Sequence, residues 1–151
     1  MKIIVDDLRG PEIAALLEAH LDLMRSQSPP ESVHALDLES LRQPEITFWT
    51  AWEDEQLLGC GALKQMANGQ GEIKSMHTAQ AARGKGIAAK LLTHLEEHAK
   101  SNGLTQLSLE TGTQDGFAPA RALYSKFGYA VCPPFGDYVE DPNSTFMTKS
   151  L

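Results

Sequence analysis

A short run of glycine and basic residues, at residues 82–89, most strongly constrains what this chain can fold into. It reads Ala-Arg-Gly-Lys-Gly-Ile-Ala-Ala, follows an alternating segment that predicts a strand, and opens a segment whose apolar spacing predicts a helix. The first backbone N–H groups of a helix have no intrahelical partner, and Gly84 and Gly86 leave them sterically open. Together with Arg83 and Lys85, the run therefore predicts a site for an anion, most naturally a phosphate or a pyrophosphate.

Three kinds of phosphate site can be compared with this run. A P-loop requires Ser or Thr after the lysine, whereas Gly86 follows Lys85, so that motif is excluded. The dinucleotide fingerprint is formally satisfied by Gly84, Gly86 and Ala89, but residues 78–83 separate it from the strand and too little chain follows. The pyrophosphate loop of an acyl-CoA site is the third kind.

Periodicity and turn residues predict the remaining elements in the order strand, two helices, three strands, helix, strand, helix, two strands. The predicted strands cover residues 2–5, 46–52, 57–63, 72–78, 104–111, 129–132 and 144–150. The predicted helices begin near Pro11, near Ser32 or Asp37, near Ile87 and near Pro119. Gly59 and Gly61, inside a predicted strand, indicate a bulge or close packing against another element.

Two segments at this spacing resemble a known family. Residues 83–87, Arg-Gly-Lys-Gly-Ile, and residues 120–129, Ala-Arg-Ala-Leu-Tyr-Ser-Lys-Phe-Gly-Tyr, together resemble the GNAT superfamily of N-acetyltransferases. The resemblance covers essentially the whole chain, and residues 132–142 resemble the bacterial YsnE-type subgroup. It implies one GNAT domain over residues 1–151, with an α/β (α+β) fold in which about four helices flank a mixed central sheet of about six to seven strands.

The resemblance implies acetyl-CoA as the acyl donor, with no metal. The residues expected to bind it are Met76, His77, Thr78, Arg83, Gly84, Lys85, Gly86, Ile87 and Ala88. For His77, at the expected bulge of the central strand, the implied contact is through the backbone to the pantetheine arm. Ala81 and Ala88 depart from the commonest family form. These departures weaken side-chain contacts to the phosphate but keep the backbone N–H groups that would bind it.

Acetyl transfer from a thioester to an amine requires a base that keeps the amine neutral and benefits from an acid at the thiolate. The resemblance implies that Tyr124 is that acid, because a phenol with a pKa of about 10 stays protonated at neutral pH. Spacing alone equally allows a core tyrosine, since Tyr124 lies on the apolar face of its predicted helix. Tyr124 is predicted here as the acid.

Two carboxylates are candidates for the base. Glu110 ends the strand beside the predicted phosphate-loop strand, and the resemblance implies a base there, acting through water. Glu72 matches another acidic position of the family. Strand alternation places Glu72, Lys74 and Met76 on one face, so an ion pair between Glu72 and Lys74 is the alternative to a substrate contact. We predict Glu110 as the base.

The acceptor is predicted only as a class. The resemblance implies an amine-bearing small molecule or peptide, in a pocket for which the candidate residues are Glu72, Phe135 and Tyr138. Phe135 and Tyr138 equally suit a dimer interface or the edge of the core, which leaves a homodimer open. A catalytically idle acyl-CoA-binding or regulatory domain is the alternative function, and a nicotinamide-dinucleotide binder is the third.

Composition and charge exclude several classes of protein. A net charge of −7 argues against binding to nucleic acid or to an anionic membrane, and no apolar run is long enough to span a bilayer. Cys60 and Cys132 lack metal-ligand spacing and predict reduced thiols in the cytoplasm. His94 and His98 match the spacing of a zinc peptidase motif, but no convincing carboxylate ligand accompanies them, so partly exposed helix histidines are expected.

Overall fold

The computed structural model describes residues 1–30 and 38–151. Within these ranges the elements are β1 (Lys2–Val5), α1 (Pro11–Gln27), α2 (Leu38–Leu41), β2 (Ile46–Glu53), β3 (Gln56–Gln65), β4 (Gln70–Thr78), α3 (Ile87–Ser101), β5 (Gln106–Gly112), α4 (Ala118–Lys126), β6 (Ala130–Val131) and β7 (Ser144–Ser150). The predicted order of elements is confirmed. The predicted second helix lies partly outside the described residues, and its described part is α2.

The strands form one mixed sheet in the order β1-β2-β3-β4-β5-β7-β6. Only the β4–β5 pair is parallel, and the other pairs in the described chain are antiparallel. One apolar core contains buried residues of α3 and α4, and the other contains buried residues of α1 and α2. The sheet is therefore covered by helices, as the predicted fold class requires.

The parallel strands β4 and β5 part half-way along their length. Their register runs from Gln70 opposite Gln106 to Ile73 opposite Leu109. Beyond that point β4 stays paired with β3 and β5 with β7, as far as Thr78 and Gly112. The facing edges of β4 and β5 therefore carry backbone groups that can hydrogen-bond to a ligand.

A β-bulge at Ser75 reverses the alternation of side chains along β4. Between Ala62 opposite Lys74 and Cys60 opposite His77, β4 contains one more residue than β3, and Ser75 has a φ of 55°. An extra residue in one strand shifts every later side chain to the other face of the sheet. The bulge lies at Ser75 and not at His77, where the family resemblance placed it.

The bulge corrects the predicted arrangement of three side chains. Glu72 and Lys74 share one face of β4, as predicted, but Met76 packs against the core beneath α3. The prediction that Met76 shares their face is wrong, because the extra residue lies between Lys74 and Met76. The predicted close packing at Gly61 is confirmed, since a Cβ atom there would lie 2.6 Å from Met76 Sδ.

Among the described residues, no helix has both the length and the apolar character needed to cross a membrane.

Candidate active site

A cavity lies where β4 and β5 part, and five of the predicted site residues line it, including both predicted catalytic residues. Its volume is about 100 Å³, which is room for several water molecules or a small reacting group. The walls are formed by β4, β5, α1, α4 and the segment before β7, and they include Glu72, Met76, Glu110, Tyr124, Tyr138 and His20. The fold thus brings together residues from both halves of the chain.

Glu110 lies on β5 at this opening, directly opposite Phe146 of β7. Burial raises the pKa of its carboxyl to about 7, and the negative charges of Glu72 and Asp141 contribute to the increase. The Ser144 hydroxyl and the Lys74 ammonium act in the opposite direction. A carboxyl with a pKa close to neutral is suited to accept a proton from an amine at physiological pH.

Tyr124 lies on α4 and is buried, with 6% of its surface exposed. Its ring packs edge-on against Tyr129, with ring centroids 5.8 Å apart, and also contributes to the cavity wall. Burial raises the pKa of the Tyr124 phenol above its ordinary value, so the hydroxyl stays protonated at neutral pH. Tyr124 is therefore a core residue that also lines the cavity and keeps its phenolic proton at neutral pH.

Glu72, Lys74 and Tyr138 form a hydrogen-bonded group on the cavity wall. Lys74 Nζ lies 3.0 Å from Glu72 Oε2, so the predicted ion pair is present. The Tyr138 hydroxyl donates to the same oxygen at 2.6 Å and accepts from Lys74 Nζ at 3.1 Å. Burial raises the pKa of Tyr138, with Glu72 adding to the increase, so this phenol remains protonated.

Phe135 lies behind Tyr138. Its ring centroid is 5.1 Å from that of Tyr138 and 6.0 Å from that of Phe146, which is buried. The aromatic contacts hold the Tyr138 ring against the cavity wall. Of the three predicted acceptor residues, Glu72 and Tyr138 line the cavity and Phe135 supports Tyr138 from outside it.

The predicted phosphate loop leads from a 3-10 turn, Gln80–Ala82, into α3. Gly84 and Gly86 have φ values of 78° and 76°, a conformation that glycine adopts most readily. A Cβ atom at either position would have no heavy atom within 4 Å, and Arg83 and Lys85 are exposed beside them. The first turn of α3, with Ile87 buried as its anchor, therefore presents N–H groups to open space.

The end of β4 carries the other predicted cofactor residues. His77 pairs with Cys60 and Thr78 with Gly59, so both residues belong to the β3–β4 ladder. Their position beyond the parting of β4 and β5 agrees with backbone contacts to an extended ligand. Met76, whose side chain faces the core, lies on the same stretch.

The imidazole of His77 contacts a second histidine, which the sequence did not indicate. The Nδ1 atoms of His20, on α1, and His77 are 3.1 Å apart. The pKa of each ring is lowered to about 4, chiefly by burial and in smaller part by a positive charge nearby: protonated His77 for His20, and Arg83 for His77. At neutral pH both rings are therefore uncharged, and one donates a hydrogen bond to the other. The feature that could have indicated this contact is the position of His20, which lies one helical turn after the buried Leu16 on α1.

The two histidines of α3 pack against a tryptophan. The rings of His94 and His98 lie edge-on to Trp49, with centroid distances of 5.7 and 4.8 Å. Both are half-buried, as expected for helix histidines. Within residues 1–30 and 38–151, no group of three or more His, Cys, Asp or Glu side chains could hold a metal ion.

Comparison with known proteins gives the same assignment as the fold. Residues 13–129 match the model of the acetyltransferase (GNAT) family. The chain is 54% identical to the uncharacterized N-acetyltransferase YsnE of Bacillus subtilis (strain 168) over 151 residues, all of both chains. It is 49% identical to the uncharacterized N-acetyltransferase YedL of Escherichia coli (strain K12), over 97% of this chain and 92% of that protein.

A solved structure from Klebsiella pneumoniae, assigned as an acyl-CoA N-acyltransferase, superposes with a TM-score of 0.79. It is 29% identical to this chain and the match covers 99% of this chain and 97% of the other. The resemblance stated from the sequence and the predicted fold class are thereby confirmed. The chain belongs to the GNAT family of acetyltransferases.

Proposed function

We propose that this protein transfers the acetyl group of acetyl-CoA directly to an amine. One observation above all supports the proposal: Glu110, a carboxyl with a pKa of about 7, and Tyr124, a protonated phenol, line the same cavity. The cavity opens where the two parallel strands part, between a candidate base on β5 and a candidate acid on α4. Membership of a family that uses acetyl-CoA as donor supports the choice of donor.

The chain fits the donor at two places. At Gly84 and Gly86 the backbone has no side chain that would obstruct a pyrophosphate, and the first N–H groups of α3 favour negative charge there. Along residues 74–78, the free edge of β4 can hydrogen-bond to the amides of a pantetheine arm. Bound acetyl-CoA supplies a thioester that a neutral amine can attack.

The reaction then requires two proton transfers from residues of this chain. Glu110 accepts a proton from the amine, directly or through one water molecule, as the nitrogen–carbon bond forms. Tyr124 donates its phenolic proton to the sulfur as the carbon–sulfur bond breaks. The proton on Glu110 then passes through water to the Tyr124 phenolate, which restores both groups, and when the acceptor begins as an ammonium ion its additional proton is released to water.

The cavity wall also suggests the class of acceptor. Glu72 and Glu110 contribute two carboxyl groups and Lys74 one ammonium group, so the wall has a net negative charge when Glu110 is ionised. Such a wall attracts a positively charged amine. The acceptor that we propose is an amine-bearing small molecule or peptide, for which Glu72 and Tyr138 form part of the pocket.

The proposal is tested by measuring thiol release from acetyl-CoA against a panel of polyamines, amino acids and peptides. We expect transfer to at least one amine and a higher melting temperature with CoA than without it, since a ligand that binds only the folded state stabilises it. Stabilisation by CoA without transfer to any acceptor would favour an idle acyl-CoA-binding domain. Stabilisation by NAD(P) alone would favour a dinucleotide site.

A bulky side chain at Gly86 tests the proposed pyrophosphate site. We expect Gly86→Leu to reduce CoA affinity at least about 10-fold, which corresponds to about 1.4 kcal/mol, because the side chain would occupy the space left open at the start of α3. Lys85→Ala should have a smaller effect, since it removes one exposed charge and leaves the backbone unchanged. Isothermal titration calorimetry with CoA measures both variants.

Gly103→Leu is a matched control for backbone strain. Gly103, near the other end of α3, has a φ of 78° and no heavy atom within 4 Å of a Cβ position. A side chain in this conformation costs about 1–2 kcal/mol at either site. The control should lose stability to a similar degree and still bind CoA. Normal CoA binding by Gly86→Leu would show that the pyrophosphate site is elsewhere.

A further inference from the structure

The strand β7 places a hydroxyl beside the candidate base. In the antiparallel β5–β7 register, Glu110 is opposite Phe146 and Gly112 is opposite Ser144. Residues opposite each other, and residues two further along the same strand, point to the same face of a sheet. The side chains of Glu110, Phe146 and Ser144 therefore lie on one face, with Ser144 diagonal to Glu110.

Ser144 has an unsatisfied polar atom. Its buried Oγ atom has no partner within ordinary hydrogen-bond geometry in the described part of the chain, although it is close enough to the Glu110 carboxyl to lower the pKa of that group. Phe146, the neighbour on the same face of β7, offers no conventional acceptor. Because nearly all buried hydroxyl groups in proteins have a partner, an unpaired one requires an explanation.

We propose that Ser144 is a positioning residue for Glu110, and that its hydroxyl donates a hydrogen bond to the Glu110 carboxylate once that group has lost its proton. An ionised carboxylate only accepts hydrogen bonds, and bonds to a charged acceptor are about twice as strong as those between neutral groups. The bond would hold the carboxylate in place on the cavity wall. The inference rests on the proposed function only in assigning Glu110 the role of base.

The electrostatics of the site agree with this role. The Ser144 hydroxyl lowers the pKa of Glu110 and so partly opposes the effect of burial. The other charged or titratable groups around the carboxyl are Glu72 and Lys74 on β4, His20 on α1, Tyr124 on α4, and Asp141 and Tyr138 before β7. A substitution at Ser144 leaves all of these in place, so a change in the pKa of Glu110 can be assigned to the hydroxyl.

Ser144→Val and Ser144→Thr form a matched pair for the experiment. The two side chains have nearly the same shape and both favour strands, but only threonine keeps the hydroxyl. We expect the pKa of Glu110 to increase by about one unit in Ser144→Val, a tenfold change in its proton affinity, and to stay near its original value in Ser144→Thr. Ser150→Val, at the exposed end of β7, should change nothing.

Two measurements report this pKa. The first is the carboxyl 13C titration of Glu110 by NMR in the protein without substrate, assigned by comparison with Glu110→Gln. The second is the acidic limb of the kcat/KM profile. The NMR titration remains informative if no acceptor is acetylated, so a failure of the proposed function is distinguishable from a failure of this inference. Equal Glu110 pKa values in the valine and threonine variants would overturn it.

Discussion

Glu110→Gln should lower kcat/KM by about 10²–10⁴-fold at neutral pH, which is the usual contribution of a general base. Glutamine keeps the size of the side chain but cannot take a proton from the acceptor amine. The loss should be largest between the Glu110 pKa of about 7 and the higher pKa of the amine, because below pH 7 the carboxyl of the original protein is itself protonated, and in a basic buffer the amine loses its proton without help. The decisive measurement is the pH–rate profile of this variant beside that of the original protein.

The stability of the same variant is its folding control. The pKa of Glu110 in the folded protein, about 7, lies above its ordinary value of 4.5. The folded state therefore holds this proton more tightly, and the resulting stabilisation is full below pH 4.5 and lost as the pH rises through 7. Above pH 7 Glu110→Gln should thus be the more stable protein, on the order of 2 kcal/mol. If the acidic limb of the pH–rate profile is the same in Glu110→Gln as in the original protein, the base is Glu72 or a chain of water molecules.

Tyr124→Phe should lower kcat by about 10²–10⁴-fold, while the affinity for acetyl-CoA and the melting temperature stay nearly unchanged. The substitution keeps the ring that packs against Tyr129 and removes only the proton donor. Steady-state kinetics measures the separation of kcat from KM, and calorimetric titration with CoA measures binding.

Tyr129→Phe provides the control for the loss of a buried phenol. The Tyr129 hydroxyl donates to Glu96 Oε2 at 2.8 Å, and Lys149 Nζ lies 3.0 Å from the same oxygen. Removing this hydroxyl weakens the buried group between α3 and β7, so the control should lose stability rather than catalytic rate. If Tyr124→Phe unfolds the protein, Tyr124 serves the core alone. If it retains full turnover, another group protonates the sulfur.

Much of the fold follows from local sequence patterns. The strand at residues 144–150 was predicted with the bounds that it has, because alternation of apolar and polar residues depends only on near neighbours. The sequence likewise predicted the start of α3 at Ile87. Gly86 is a residue type that adopts the left-handed conformation found there, and helical apolar spacing begins directly after it. The two motifs and their spacing then indicated the family.

The bulge at Ser75 could not be predicted in the same way. Whether β4 contains one residue more than its partner depends on how β3 pairs with it, and β3 is a separate segment of the chain. The shift decides that Met76 packs into the core while Glu72 and Lys74 lie on the other face. Alternation read along one strand assumes regular pairing, and that assumption fails at a bulge.

The sequence by itself determined the order of the elements, the glycine-rich start of α3 and the candidates Glu110 and Tyr124. Only the tertiary structure decided which groups surround them, because those groups come from distant parts of the chain. His20 contacts His77 across 57 residues, and Ser144 reaches the face of Glu110 through the β5–β7 register. The pKa of Glu110 likewise depends on burial and on charges from β4 and from the segment before β7. Burial and cross-strand register are properties of the packed sheet, and no local pattern specifies them.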